Sequence, residues 1–96
     1  FTITGNTSTS KGTVTYNGLT LTKCLKLESS TNISFTTTVD MTLTLVLNKD
    51  NGTNIKVDGE KLSDPSGIIT VKLAAGTHTI TKADTANLFY ISLTQS

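Results

Sequence analysis

Few residues in this 96-residue chain could do chemistry: one histidine, one cysteine, seven acids and eight lysines, with no arginine or tryptophan. A general base needs a nucleophile within reach, and His78 has no Ser or Cys motif beside it, such as a G-x-S-x-G elbow. Packing or exposure at a strand end is the better reading of His78. Glu28, Asp40, Asp50, Asp58, Glu60, Asp64 and Asp84 lie mostly in turns, where acids hydrogen-bond their own backbone, so they are read as turn residues and not as a glycosidase pair. The chain is therefore not expected to be an enzyme. Cys24 cannot form an internal disulfide, has no second cysteine for a zinc site, and reads as a buried small hydrophobe. Oxygen donors cluster in Asp50-Asn51-Gly52-Thr53-Asn54 and would suit calcium. The EF-hand pattern is absent and the same residues make a good turn, so no cofactor is expected, with a structural calcium as the alternative.

The lysines divide by surroundings. Lys49, Lys56, Lys61 and Lys72 read as ordinary solvated surface, three of them beside acids of the Asp50 to Asp64 region. Lys11, Lys23, Lys26 and Lys82 sit among Thr, Ser, Gly and Asn with few acids nearby. A row of ammonium groups could match an acidic sugar such as galacturonate, which carries a carboxylate on every ring. Each such surface contact is modest and salt-sensitive, but several along a polymer add up. Taken singly, each lysine is also explained as solvated surface. A neutral glucan is a weaker candidate ligand, because Tyr16 and Tyr90 alone would make a thin stacking platform.

The elements that must position these groups are strands. Threonine makes up about a fifth of the chain, and β-branched residues with short Gly/Asn/Asp punctuation favour strands over helices. Leu19, Leu21, Leu25 and Leu27 alternate as if facing a core, which puts Thr20, Thr22, Cys24 and Lys26 on the opposite face. Met41, Leu43, Leu45 and Leu47 give the clearest core strand. Ile69, Val71 and Leu73 form another, and Phe89, Ile91 and Leu93 a last one, with Tyr90 facing out. Asn17-Gly18 and Asp58-Gly59 are hairpin-turn signals, and Asp64-Pro65-Ser66-Gly67 is a third turn. Eight or nine short strands with no helical period indicate an all-β chain, an antiparallel β-sandwich with jelly-roll topology. Strict alternation with Ile80 sends Lys82 toward the core, a conflict that a strand end or a bulge would remove.

The length suits one domain, residues 1–96, and the net charge of +1 gives no overall attraction for polyanions. Neither nucleic acid nor a membrane is an expected partner, and no apolar run reaches the roughly 18 residues of a membrane span. A start at Phe1 fits a module cut from a longer polypeptide, and the Thr-rich, charge-poor composition fits a secreted bacterial one.

The strings TSKGTVTYNGLTLTKCLKLESSTNISFTT, LTLVLN, TNIKVDG and LAAGTHTITKADTANLFYISL resemble the non-catalytic modules appended to pectate lyases of gut and rumen bacteria, the pectin-binding family 77 of carbohydrate-binding modules. The similarity runs over nearly the whole chain. Its most specific parts are S-K-G-T, C-L-K-x-E-S-S and T-K-x-D-x-x-N-L-F-Y. The resemblance implies a sandwich that binds homogalacturonan of low methyl-esterification through lysines, an acidic plant cell-wall polysaccharide being the partner and a covalently linked catalytic domain the neighbour. By motif, the contacts would be Lys11, Lys26 and Lys82, with Lys23 as a fourth. Asn87 and Tyr90 would hydrogen-bond sugar hydroxyls, and Asp84 would pair with or orient Lys82. A ligand-free spacer or protein-interaction sandwich is the alternative.

Overall fold

The computed structural model describes residues 1–95, which form twelve strands and no helix. In chain order these are β1 (Thr2–Thr4), β2 (Thr7–Ser8), β3 (Val14–Tyr16), β4 (Leu19–Leu21), β5 (Cys24–Leu27), β6 (Asn32–Thr37), β7 (Met41–Leu47), β8 (Asn54–Val57), β9 (Glu60–Ser63), β10 (Ile68–Leu73), β11 (Gly76–Lys82) and β12 (Ala86–Gln95). One sheet runs β1-β6-β11-β8-β9, the other β10-β7-β12-β5-β2, and β3-β4 form a separate hairpin. Every pairing is antiparallel. From β5 onward the chain changes sheet at every connection except the β8–β9 hairpin, so eight strands interleave as β10-β7-β12-β5 against β6-β11-β8-β9. That is jelly-roll topology.

Alternating apolar residues close the core. Leu43, Leu45 and Leu47 of β7, Ile33 and Phe35 of β6, Ile55 and Val57 of β8, and Ile80 of β11 meet between the sheets. Ile69 and Leu73 are buried with them, and Val71, Ile91 and Leu93 pack at the margin. Two alternations expected from the sequence break. Leu19 is 48% exposed, because the chain between β4 and β5 leaves the extended pairing at Thr22-Lys23, so no single phase runs from Leu19 to Leu27. In β12 a register shift falls between Leu88 and Tyr90. Leu88 pairs with Leu47 and Ile91 with Leu45, which leaves Phe89 as the extra residue, buried but outside the central cluster. Val46 alternates with core residues and is still 1% exposed. The outer face of its sheet is covered there by the β3–β4 hairpin, whose Tyr16 ring lies 5.1 Å from that of Tyr90, the partner of Val46.

Both hairpin dipeptides have the positive backbone angles of a type I′ turn, Asn17 at φ 54 and Gly18 at φ 80, Asp58 at φ 53 and Gly59 at φ 82. Asp58 does more than turn the chain. Its Oδ1 accepts the Thr79 amide at 2.9 Å and its Oδ2 lies 2.6 Å from His78 Nδ1. His78 Nε2 faces the Ala74 carbonyl at 2.7 Å. With an acceptor opposite each ring nitrogen, the imidazole satisfies both only when doubly protonated. His78 is thus a clamp between β11 and the β8–β9 turn, set within the strand.

The Asp58 hydrogen bond, then the Ala74 carbonyl and the Asp58 charge, raise the His78 pKa above 6.5 against an opposing desolvation. For Asp58, desolvation is the largest single effect and pulls upward, but the His78 and Thr79 hydrogen bonds and the His78 charge together lower its pKa below 3.8. A raised histidine pKa gives stability that is complete below 6.5 and is lost as pH rises through the folded value. A lowered carboxyl pKa gives stability present above 3.8 and lost as pH falls through the folded value.

Gly52 fixes the other end of β8. It sits at φ 121 before the strand, and a Cβ there would come 2.4 Å from the Thr85 carbonyl oxygen. The Asn48–Gly52 turn can therefore lie against the β11–β12 connection only while residue 52 lacks a side chain.

Two outcomes are expected. The melting temperature falls as pH rises from 6 upward in a thermal-denaturation series, and His78→Gln flattens that dependence while Lys72→Ala leaves it intact. Gly52→Ala costs about 2 kcal/mol or more in urea unfolding, because strain at positive φ adds to the clash with Thr85.

Candidate functional site

Three strand ends and one loop converge where β5, β12 and β11 meet. Lys26 lies in β5 directly opposite Asn87 of β12, next to the pair Leu27–Ala86. Leu27 and Ala86 are buried in the core, so alternation puts Lys26 and Asn87 together on the outer side of the sheet. Lys82 is the last residue of β11 and pairs with the core residue Ile55. Its phase is inward, yet the strand ends there and the ammonium leaves at the end of the sandwich. The conflict read from strict alternation is resolved by the strand end, without a bulge in β11. Lys11 comes from the loop before β3. That loop is tied down by Asn48, whose Nδ2 donates to the Lys11 carbonyl at 2.8 Å. Asn48 in turn orders its own turn through the Asp50 and Asn51 amides.

Lys11, Lys26 and Lys82 line one groove of about 340 Å³ together with Glu28, Ser29, Thr85 and Asn87. Asn87 is 5% exposed and forms part of its wall. The hydroxyl, amide and ammonium groups of this lining present donors to anything that enters. Lys26 has a carboxylate neighbour, Glu28, with Nζ–Oε2 at 3.8 Å. Among the described residues, neither Lys11 nor Lys82 makes an ion pair. Closeness along the chain suggests Asp84 as a partner for Lys82. The structure ties Asp84 to Lys61 instead, at 3.2 Å, and to Asn54 Nδ2 at 2.7 Å. The Lys61 and Asn54 hydrogen bonds hold its carboxyl pKa below the usual range, with Lys82 a lesser influence through its charge alone. Lys61 thus leaves the ammonium of Lys82 free to face the groove.

Lys23 and Tyr90 are not part of this groove. They line a separate, mostly apolar hollow with Ile3, Leu25, Phe89 and Ile91. Lys23 lies in the Thr22-Lys23 break before β5, outside the strand that carries Lys26. Tyr90 follows the irregularity in β12 and meets Tyr16. Cys24 is 2% exposed. Burial pushes its thiol pKa up, while a backbone hydrogen bond from Ser8 and the charges of Lys11 and Lys26 pull the other way. It remains a packed thiol. Among the described residues, no group of three or more His, Cys, Asp or Glu side chains is placed to share a metal ion.

Sequence reasoning missed Glu28 as part of the site. The available signal was C-L-K-x-E, which sets a carboxylate two residues from Lys26, although β5 ends at Leu27 and strand phase does not extend to Glu28. Thr85 was equally hidden, because a loop residue has no phase to read.

The sequence profile of the family described as Carbohydrate binding module 77 matches residues 1–91. A solved structure from work on the Ruminococcus flavefaciens cellulosome and its expansion in glycan recognition is 57% identical, with a TM-score of 0.91, covering 97% of this chain and 79% of that one. No curated protein matches. With a family profile spanning nearly its full length and a jelly-roll sandwich shared with the solved chain, this protein belongs to carbohydrate-binding module family 77.

Proposed function

We propose that this module binds homogalacturonan of low methyl-esterification in the groove of Lys11, Lys26 and Lys82, and does no chemistry on it. The observation that carries this reading is the convergence of three ammonium groups from distant parts of the chain on one polar groove, two of them without a carboxylate partner. A polymer with a carboxylate on each ring supplies counter-charges at a regular spacing, and ammonium–carboxylate contacts gain strength from each other's proximity. Asn87, Ser29 and Thr85 supply hydrogen bonds to ring hydroxyls. The scarcity of aromatic residues supports an ionic ligand over a stacked neutral one: five aromatics are present, and Phe35 and Phe89 are buried. The solved relative's link to cellulosomal glycan recognition supports a setting outside the cell, in a bacterium that degrades plant walls. In that setting the module holds a covalently attached pectinolytic enzyme on its substrate. Tethering of this kind raises local enzyme concentration without new chemistry.

Affinity electrophoresis in gels containing pectin of low or high ester content tests the proposal. Retardation is expected chiefly in the low-ester gel, weakening as salt is added. Lys11→Ala and Lys82→Ala should each weaken binding roughly tenfold, the scale of one lost charge-assisted contact at a partly exposed site, and Lys26→Ala should weaken it too, by leaving the Glu28 carboxylate unpaired in the groove. Lys72→Ala removes the same charge from β10, away from the groove, and should bind like the parent. A ligand-free spacer would show no retardation in either gel, and a neutral-glycan module would be indifferent to ester content.

A further inference from the structure

A groove built only to attract carboxylates would have no use for one of its own. Glu28 is nevertheless fixed in place there. Its Oε1 accepts from Asn6 Nδ2 at 3.0 Å, and its Oε2 lies 3.8 Å from Lys26 Nζ. The backbone is held as firmly. The Glu28 amide donates to Thr31 Oγ1 at 2.9 Å, the Thr31 amide donates back to the Glu28 carbonyl at 2.9 Å, and Thr31 Oγ1 donates to the Lys26 carbonyl at 2.6 Å. Thr31 is 3% exposed and anchors this turn from beneath. The other nearby acid, Asp84, is engaged by Lys61 and Asn54. Glu28 is therefore the carboxylate that the groove presents to a ligand.

We propose that Glu28 is a specificity-determining residue that sets where along an acidic glycan a free carboxylate is refused. The inference rests on the reading that the groove takes galacturonan. An ionised carboxylate only accepts hydrogen bonds. It welcomes a sugar hydroxyl and repels a second carboxylate. The groove then offers two unpaired cations, Lys11 and Lys82, and one cation already partnered, Lys26. The ligand that fits carries free carboxylates opposite the first two and a hydroxyl or a methyl ester opposite the Lys26–Glu28 pair. Galacturonan of low but not zero ester content has that pattern, and fully de-esterified galacturonan meets one repulsive contact that offsets part of its gain at Lys11 and Lys82.

Calorimetric titration of the intact module with fully de-esterified and half-esterified galacturonan tests this. Glu28→Gln keeps the shape and the acceptor for Asn6 but removes the charge. It should bind the de-esterified polymer about two- to fivefold more tightly than the parent, the range expected for an exposed charge pair. The ratio of affinities for the two polymers should shift by the same factor toward the de-esterified one, and binding should depend more steeply on salt. Glu28→Ala should shift the ratio in the same direction, and the ratio does not depend on how much of a variant is folded. An unchanged ratio in both variants, or a shift toward the half-esterified polymer, overturns the proposal. If that occurs while Lys11→Ala still weakens binding, the lysine reading stands and the role of Glu28 falls. If the parent module binds neither polymer, the lysine reading itself falls.

Discussion

The pairing register of β5 with β12 is the constraint on which the rest depends. Leu27 faces Ala86 and Leu25 faces Leu88, with Lys26 opposite Asn87 between them. Because side chains alternate along a strand, burying Leu27, Ala86 and Leu88 in the core obliges Lys26 and Asn87 to face away from it. A slip of β5 by one residue would turn the Lys26 ammonium inward and expose Leu25 and Leu27. Burial of a lone charge is costly enough that the folded state has one solution here. The groove is thus a by-product of core formation on its Lys26 side, and its position is as secure as the core itself.

Gathering cations on one face works against that stability. Like charges near one another repel, and water screens them only in part. The fold limits the cost in two ways. Glu28 neutralises Lys26 locally, and each of the three lysines comes from a different element, so their stems arrive from different directions. Asp84 could have neutralised Lys82 in the same way. The Lys61 ammonium and the Asn54 amide hold it elsewhere, and Lys61 projects from an edge strand with no other acid to bind among the described residues. Two residues outside the groove thereby govern its charge.

Most of the architecture was legible in the sequence because it depends on local rules. The alternation of Leu43, Leu45 and Leu47, and the Asn-Gly and Asp-Gly dipeptides, identified strands and hairpins that the structure contains. The resemblance to family 77 of carbohydrate-binding modules named the family that the profile match shows. What sequence could not supply was anything requiring a break in phase. The Thr22-Lys23 interruption detached Leu19 from the core pattern, and the irregularity at Phe89 shifted the alternation of β12. Lys23 groups with Lys26 by closeness along the chain, whereas the break before β5 sets it in a different hollow. Asp84 was assigned to Lys82 for the same reason, and a residue thirty positions away, Asn54, holds it instead. Distance along the chain is a poor guide in a fold whose strands rarely pair with their sequence neighbours.

β12 lies in the middle of its sheet, between β7 and β5. An emerging polypeptide can form the hairpin of β8 and β9, but it cannot complete either the hydrophobic interior or the wall that Asn87 contributes until these last ten strand residues are present. Such a topology folds late and as a unit, since its decisive contacts join distant segments. A segment that stopped before Ala86 would therefore carry Lys11, Lys26 and Lys82 without the central strand of its sheet and without the residue that stands opposite Lys26.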